Sequence, residues 1–389
     1  MRHVILATVL MASPAWADIG IVEKQSFTLE DFQTRGGAVI PEMTLGFETY
    51  GTLNEARDNA VLITHHFSGN SHAAGRYAED DAAPGYWDAI IGPGKPIDTD
   101  RWFVVSADTP VNLNANDPNV ITTGPASINP DTGRPWGMDF PILTIGDFVD
   151  SQLGLMEQLG IERWHAVMGP SMGGLQAQEW AARYPDRLTR VAPVIAAGWA
   201  DAWLTAWLEV WAAPIRLDPN WQGGAYYDGA PPLDGLAQSL SIVTLHANSE
   251  DWADTTFGRT WADEAQDPGA SWDGDFAVTR TLADGGAERA AMADANHFLY
   301  LVRANQQFVA GHPDEGVEQG LRDIDVPVLM IHSPTDLVFT ADAVQRTARI
   351  IGEDGTPVEL VALSGARGHL DGIANIAEAG DAIRDFLER

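Results

Sequence analysis

Cysteine is absent from the 389 residues. That removes disulfide bridges, thiolate nucleophiles and cysteine-ligated zinc. Basic residues are scarce: 23 Lys and Arg stand against 55 Asp and Glu, a formal net charge of -32. A surface of that sign repels nucleic acid and anionic lipid, so no nucleic-acid partner and no membrane insertion are expected. Long apolar runs are also missing. The run near the start, Val4 to Ala12, is too short to cross a bilayer, and no later one is long or clean enough.

That early run has another use. Arg2 and His3 precede it, and Ala15-Trp16-Ala17 follows as a small-x-small site, so residues 1–17 read as a secretory signal cut before Asp18. The expected location is periplasmic or secreted. The whole sequence is 45% hydrophobic, enough for one large domain with an insertion or for two domains. A hairpin turned at Gly36-Gly37 comes first. Short runs apolar on both faces then recur at Asn59 to His65, Arg101 to Asp108, Arg163 to Gly169, Leu188 to Ala196, Pro327 to Ser333 and Pro357 to Gly365. Such runs suit strands buried between helix layers. Helical periodicity lies between them, at Thr144 to Leu159, after Ser171, at Ala341 to Ile351 and at Ile373 to Leu387. The alternation predicts a mostly parallel α/β sheet. It breaks from about Gly198 to Gly316, where Trp199, Trp203, Trp207 and Trp211 recur every four residues. The expected organisation is thus a core in two parts, residues 18–197 and 317–389, with a helical cap, residues 198–316, inserted between late strands. The tryptophans read as one helix face, packed in the core or lining an apolar pocket.

Gly169-Pro170-Ser171-Met172-Gly173 is a G-x-S-x-G motif with a strand before it and a helix after it. In such an elbow the serine takes strained backbone angles, and the flanking glycines remove Cβ atoms that would collide. Two further residues follow in the order Ser, acid, His: Asp336 just after the Pro327–Ser333 strand, and His369 after the next one. Strand ends on one edge of a parallel sheet are neighbours, so the three can converge. His369 would take the serine proton and Asp336 would orient the imidazole; Asp371 and Asp325 are poorer candidates for the acid. The oxyanion donors expected are the backbone N–H groups of Met172 and of Phe67, in the loop HHFSGNSH. His65, His66 and His72 in that loop have no carboxylate at a ligand spacing beside them, so neither a metal nor any cofactor is expected.

At this point the sequence resembles the homoserine O-acetyltransferase family, whose members have the α/β-hydrolase fold. HHFSGNSH is similar to the family's His-Ala-Leu-Thr-Gly loop, and GPSMGGLQAQEWAARYPD to its elbow. TTGPASINPDTGRPWGMDFPILTIGDFV, Thr122 to Val149, looks like its GPxSxxPxTGxxYGxDFPxxTxxD segment, and DPNWQGGAYYDG and DANHFLYLVRA resemble stretches of its cap. The resemblance implies Ser171, Asp336 and His369 as the triad and, for many members, a homodimer formed through the cap. It also implies an Asp directly after the histidine and a cap Arg followed seven residues later by Tyr. These positions fall on Leu370, Gln238 and Leu245, which become the substrate-pocket candidates. A pocket without such charged partners discriminates poorly for a zwitterionic amino acid.

The sequence thus leads to an exported serine hydrolase, carboxylesterase-like, whose substrate is a neutral or apolar-tailed small-molecule ester. An O-acyltransferase with a different acceptor is the alternative, and an inactive binding protein the second. Mass spectrometry of the protein recovered from outside the cytoplasm should give a chain beginning at Asp18; a chain that keeps residues 1–17 there would contradict the signal reading.

Overall fold

The computed structural model of the chain describes residues 19–311, 314 and 316–389. The proposed signal, residues 1–17, lies outside the described residues. Strand β1 (Gln25–Gln33) and strand β2 (Val39–Tyr50) form an antiparallel hairpin. Its turn closes through Gly37, whose positive φ of 85° suits a residue without Cβ. Six short strands follow in the core: β3 (Ala60–Thr64), β4 (Phe103–Ala107), β5 (Ala166–Pro170), β6 (Val191–Val194), β7 (Val328–His332) and β8 (Val358–Ala362). They join the hairpin in one sheet of order β1-β2-β4-β3-β5-β6-β7-β8. The sheet is antiparallel through β1, β2 and β4 and parallel from β4 to β8.

Strands β3, β5, β6 and β7 are buried along their whole length, because helices cover both faces. Successive side chains point to opposite faces, so Leu62, Val328 and Met330 join one core, while Val61, Ile63, Leu329 and Ile331 join the other. The first core takes helix α1 (Ile145–Gln158) and helix α2 (Met172–Arg183), through Phe148, Leu175 and Trp180. The start of α1 is set by a capping box between Thr144 and Asp147.

Between β6 and β7 lie α3 (Ala202–Leu217), α4 (Leu233–Ala247), α5 (Glu250–Thr256), α6 (Ala277–Ala290), α7 (Ala295–Gln306) and the single turn α8 (Gln319–Arg322). Helix α4 packs on α3 and α6, and α3 packs on α7. The tryptophans do not keep to one environment. Trp199 precedes α3, Trp203 is half exposed, and Trp211 is buried. A spacing of four residues turns the helix about 40° beyond a full circle each time, so the indoles sweep from solvent into the core.

The chain ends with α9 (Ala341–Gly352), α10 (Asp371–Ala374) and α11 (Gly380–Glu388). The helix expected over Ile373 to Leu387 is interrupted at Asn375, whose backbone (φ -115°, ψ 14°) leaves the helical region. The Asn375 amide instead donates to the buried Asp371 carboxylate (2.5 Å), a side-chain bond that competes with helix continuation.

Sheet and elbow meet without spare room. A Cβ on Gly169 or Gly173 would lie 2.1 Å from Oγ1 or the carbonyl oxygen of Thr64, respectively, at the end of β3. Gly173→Ala should therefore lower stability by about 1–3 kcal/mol, seen as a lower urea midpoint; an unchanged midpoint would contradict this packing.

Candidate active site

Ser171 joins the end of β5 to α2 with φ 57° and ψ -122°, a conformation that costs a non-glycine residue about 1–3 kcal/mol. The fold imposes it: the Ser171 N–H is tied to the Val194 carbonyl of β6 (2.9 Å), and α2 must begin at once. The Ser171 hydroxyl lies 2.8 Å from Nε2 of His369, and Nδ1 of His369 lies 2.8 Å from Oδ2 of Asp336. A carboxylate only accepts, so Nδ1 carries the proton and Nε2 is left to accept from the serine. The N–H groups of Val338 and Phe339 donate to the other Asp336 oxygen (2.7 and 3.0 Å). All three side chains are buried. The structure thus brings together Ser171, Asp336 and His369. Asp371 is used elsewhere, accepting from Ser333, Asn375 and the Arg367 N–H, and Asp325 is exposed.

Met172 opens α2, so its N–H is one of the unpaired donors of a helix start. Among the described residues, neither that N–H nor the Phe67 N–H has an acceptor within the chain. The loop carrying Phe67 is pinned from several sides. His65 donates from Nδ1 to the His66 carbonyl (2.7 Å), while its Nε2 accepts from the Thr109 N–H (3.1 Å). Asn112 and Asn114 donate to the carbonyls of Gly69 and Ser68. The Phe67 ring stands edge-on to Trp211 of α3 (5.6 Å) and Phe298 of α7 (5.2 Å).

Behind the loop is a buried ionic cluster. Lys24 lies 3.1 Å from Glu48 and 3.3 Å from Asp108 and also donates to Ser71, while Asp108 accepts from the Ser71 N–H (2.7 Å). Burial pushes the Glu48 carboxyl up, but the His72 hydrogen bond, the Lys24 charge and the Tyr77 hydroxyl outweigh it and hold it at about 2. The histidines considered as metal ligands are thus engaged: His65 in the loop's own bonds, His72 on Glu48 (3.0 Å). His66 makes no hydrogen bond through its ring among the described residues.

The substrate-pocket candidates divide. Leu370 follows His369 in a turn of 3₁₀ helix and is partly buried. Gln238 and Leu245 lie on the exposed side of α4. Two cap residues missed in the sequence come close instead. His246 of α4 stacks on Trp207 (4.1 Å) and donates from Nε2 to the Leu337 carbonyl (3.0 Å). Arg289 of α6 donates to Ser68 of the pinned loop (2.8 Å). Two charges, the Asp and Arg that the resemblance implies, are absent at Leu370 and Gln238, but a cation reaches the loop from α6, a helix whose Ala- and Gly-rich sequence gives no sign of it.

A family model described as the alpha/beta hydrolase fold matches residues 122–370. The homoserine O-acetyltransferase of Solidesulfovibrio magneticus is 36% identical, with 97% of this chain and 95% of that protein covered. This chain belongs to the homoserine O-acetyltransferase-like family of α/β-hydrolase-fold enzymes. Among solved structures of the fold, that of esterase E22 is similar with a TM-score of 0.90 at 49% identity, covering 94% of this chain and 100% of that one. A leucine-to-aspartate mutant of esterase E22 has the same score and identity. The homoserine O-acetyltransferase from Bacillus anthracis is similar with a TM-score of 0.89 at 34% identity, over 95% of this chain and 98% of that one.

The site holds its spare histidines neutral. Burial, and after it the neighbouring His65, His369 and Arg289, keep His66 down at about 3, and burial keeps His246 at about 4. Unfolded, both take up a proton near the ordinary value of about 6.5. The unfolded chain thus binds more protons below that pH, and stability is lost as pH falls. The urea midpoint should drop progressively between pH 6.5 and 4; a midpoint constant across that window would show that these rings are not held neutral.

Proposed function

We propose that the protein is an exported serine hydrolase that cleaves acyl esters through an acyl-Ser171 intermediate. The observation that carries this reading is the unbroken pair of 2.8 Å contacts from Ser171 through His369 to Asp336. The Ser171 oxygen attacks the ester carbonyl as His369 takes its proton, and the N–H groups of Met172 and Phe67 receive the developing oxyanion. His369 then returns the proton to the departing alkoxide. Water repeats the sequence, giving the free acid and restoring Ser171. Asp336, fixed by two backbone N–H groups, stabilises the imidazolium at each stage.

Water is favoured as acceptor by Leu370, which stands where an amino-acid acceptor would need a carboxylate for its ammonium group. The 49% identity to a protein named an esterase agrees with this. Transfer to an alcohol is the second reading, supported by the relatives named homoserine O-acetyltransferases.

A fluorophosphonate probe should label Ser171, and nitrophenyl esters should release nitrophenol in plain buffer. Ser171→Ala and His369→Ala should each lower kcat by about a thousand-fold or more, with the double variant scarcely worse than either single one. Acetyl-CoA with homoserine should yield no O-acetylhomoserine. Release that stays negligible until an alcohol is added would replace hydrolysis with transfer.

A further inference from the structure

Arg289, in the last turn of α6, is a partly buried cation with no carboxylate partner among the described residues. Its terminal nitrogens donate to two neutral hydroxyls, Oγ1 of Thr244 on α4 (2.9 Å) and Oγ of Ser68 (2.8 Å). Among the described residues no carboxylate forms an ion pair with it, in a chain with 55 acidic residues. Two other partly buried arginines are paired with acids, Arg35 with Asp150 and Glu179 and Arg183 with Glu179, while Arg190 rests on the Phe386 carbonyl. Burial lowers the proton affinity of Arg289, the sign of a positive charge with nothing negative to balance it. A fold seldom keeps such a charge unpaired.

The place of this charge matters. Ser68 directly follows Phe67, whose N–H has no acceptor among the described residues. Arg289 thus reaches Ser68, the residue next to the expected oxyanion donor. The two hydroxyls that hold the guanidinium can rotate to donate or to accept.

We infer that Arg289 is a binding residue for a carboxylate carried by the substrate, so that the protein takes esters bearing a second, ionised carboxyl group near the ester to be cleaved. This rests on the hydrolase reading above and narrows its substrate class. A guanidinium grips a carboxylate through two parallel N–H donors, and a carboxylate beside Ser68 would orient the ester carbonyl toward the Phe67 N–H. The carboxyl group could sit on the acyl half or on the alcohol half of the ester.

Two substrate pairs separate these halves. Para-nitrophenyl hemiglutarate against para-nitrophenyl butyrate probes the acyl half; para-acetoxybenzoate against phenyl acetate probes the alcohol half. For the half that Arg289 reads, the ratio of kcat/KM, anionic over neutral, should fall about ten-fold or more in Arg289→Gln. Arg289→Lys should recover part of it, and salt should lower the same ratio in the unmodified protein. Ratios unchanged in both pairs, or equal losses on anionic and neutral members, would overturn the proposal and make Arg289 a strut between cap and loop. If the protein cleaves none of the four esters, the hydrolase reading fails on its own, and calorimetry decides the anion site. There, Ser171→Ala should bind monoethyl glutarate more tightly than ethyl butyrate, and adding Arg289→Gln should remove the difference; equal binding would overturn the site.

Discussion

Everything at the site depends on one strained turn. Ser171 holds a backbone conformation that the residue alone would avoid, because β5 ends against β3 and α2 begins at once. The two flanking glycines let this happen: with a Cβ at either position, the chain would strike Thr64. In return the hydroxyl leaves the sheet edge at the angle that meets His369, and the first N–H of α2 is left unpaired beside it. Strain, helix start and hydrogen-bond chain are thus one device, and the fully buried strands around it hold it still.

The second half of the site is less local. The loop bearing Phe67 has no regular structure of its own and takes its shape from three directions. The segment after β4 grips it through Asp108, Asn112 and Asn114, the cap through Trp211, Phe298 and Arg289, and the hairpin side through Lys24 and Glu48. A donor for a developing oxyanion must be in place before the charge appears. Here that placement is shared among parts of the chain more than two hundred residues apart, with cap and loop joined by two aromatic edges and one guanidinium.

The fold was legible because its signals are local. Apolar runs bounded by turn residues marked the strands, and the order Ser, acid, His together with strand–loop positions pointed to the residues that the structure brings into contact. What escaped had no local signature. Direction within the cap depends on helix phase over long stretches, so Gln238 and Leu245 were set in the pocket although they lie on the exposed side of α4. Arg289 was overlooked because nothing near it in sequence tells that its side chain passes between α4 and the Ser68 loop. The break at Asn375 was hidden for a similar reason: the carboxylate that claims its amide, Asp371, is buried through contacts with Ser333, which lies on another strand's end.

Lys24 has a consequence for how the molecule is made. Residues 20–24 are among the first of the described chain to leave the ribosome, yet Val22 donates to the Arg76 carbonyl, and Lys24 meets its counter-charges only at Glu48 and Asp108. The counter-charges of this segment lie more than twenty residues further on, so its place in the scaffold is set by non-local contacts. The support behind the Phe67 loop is therefore built from three stretches of chain, before β1, within β2 and just after β4.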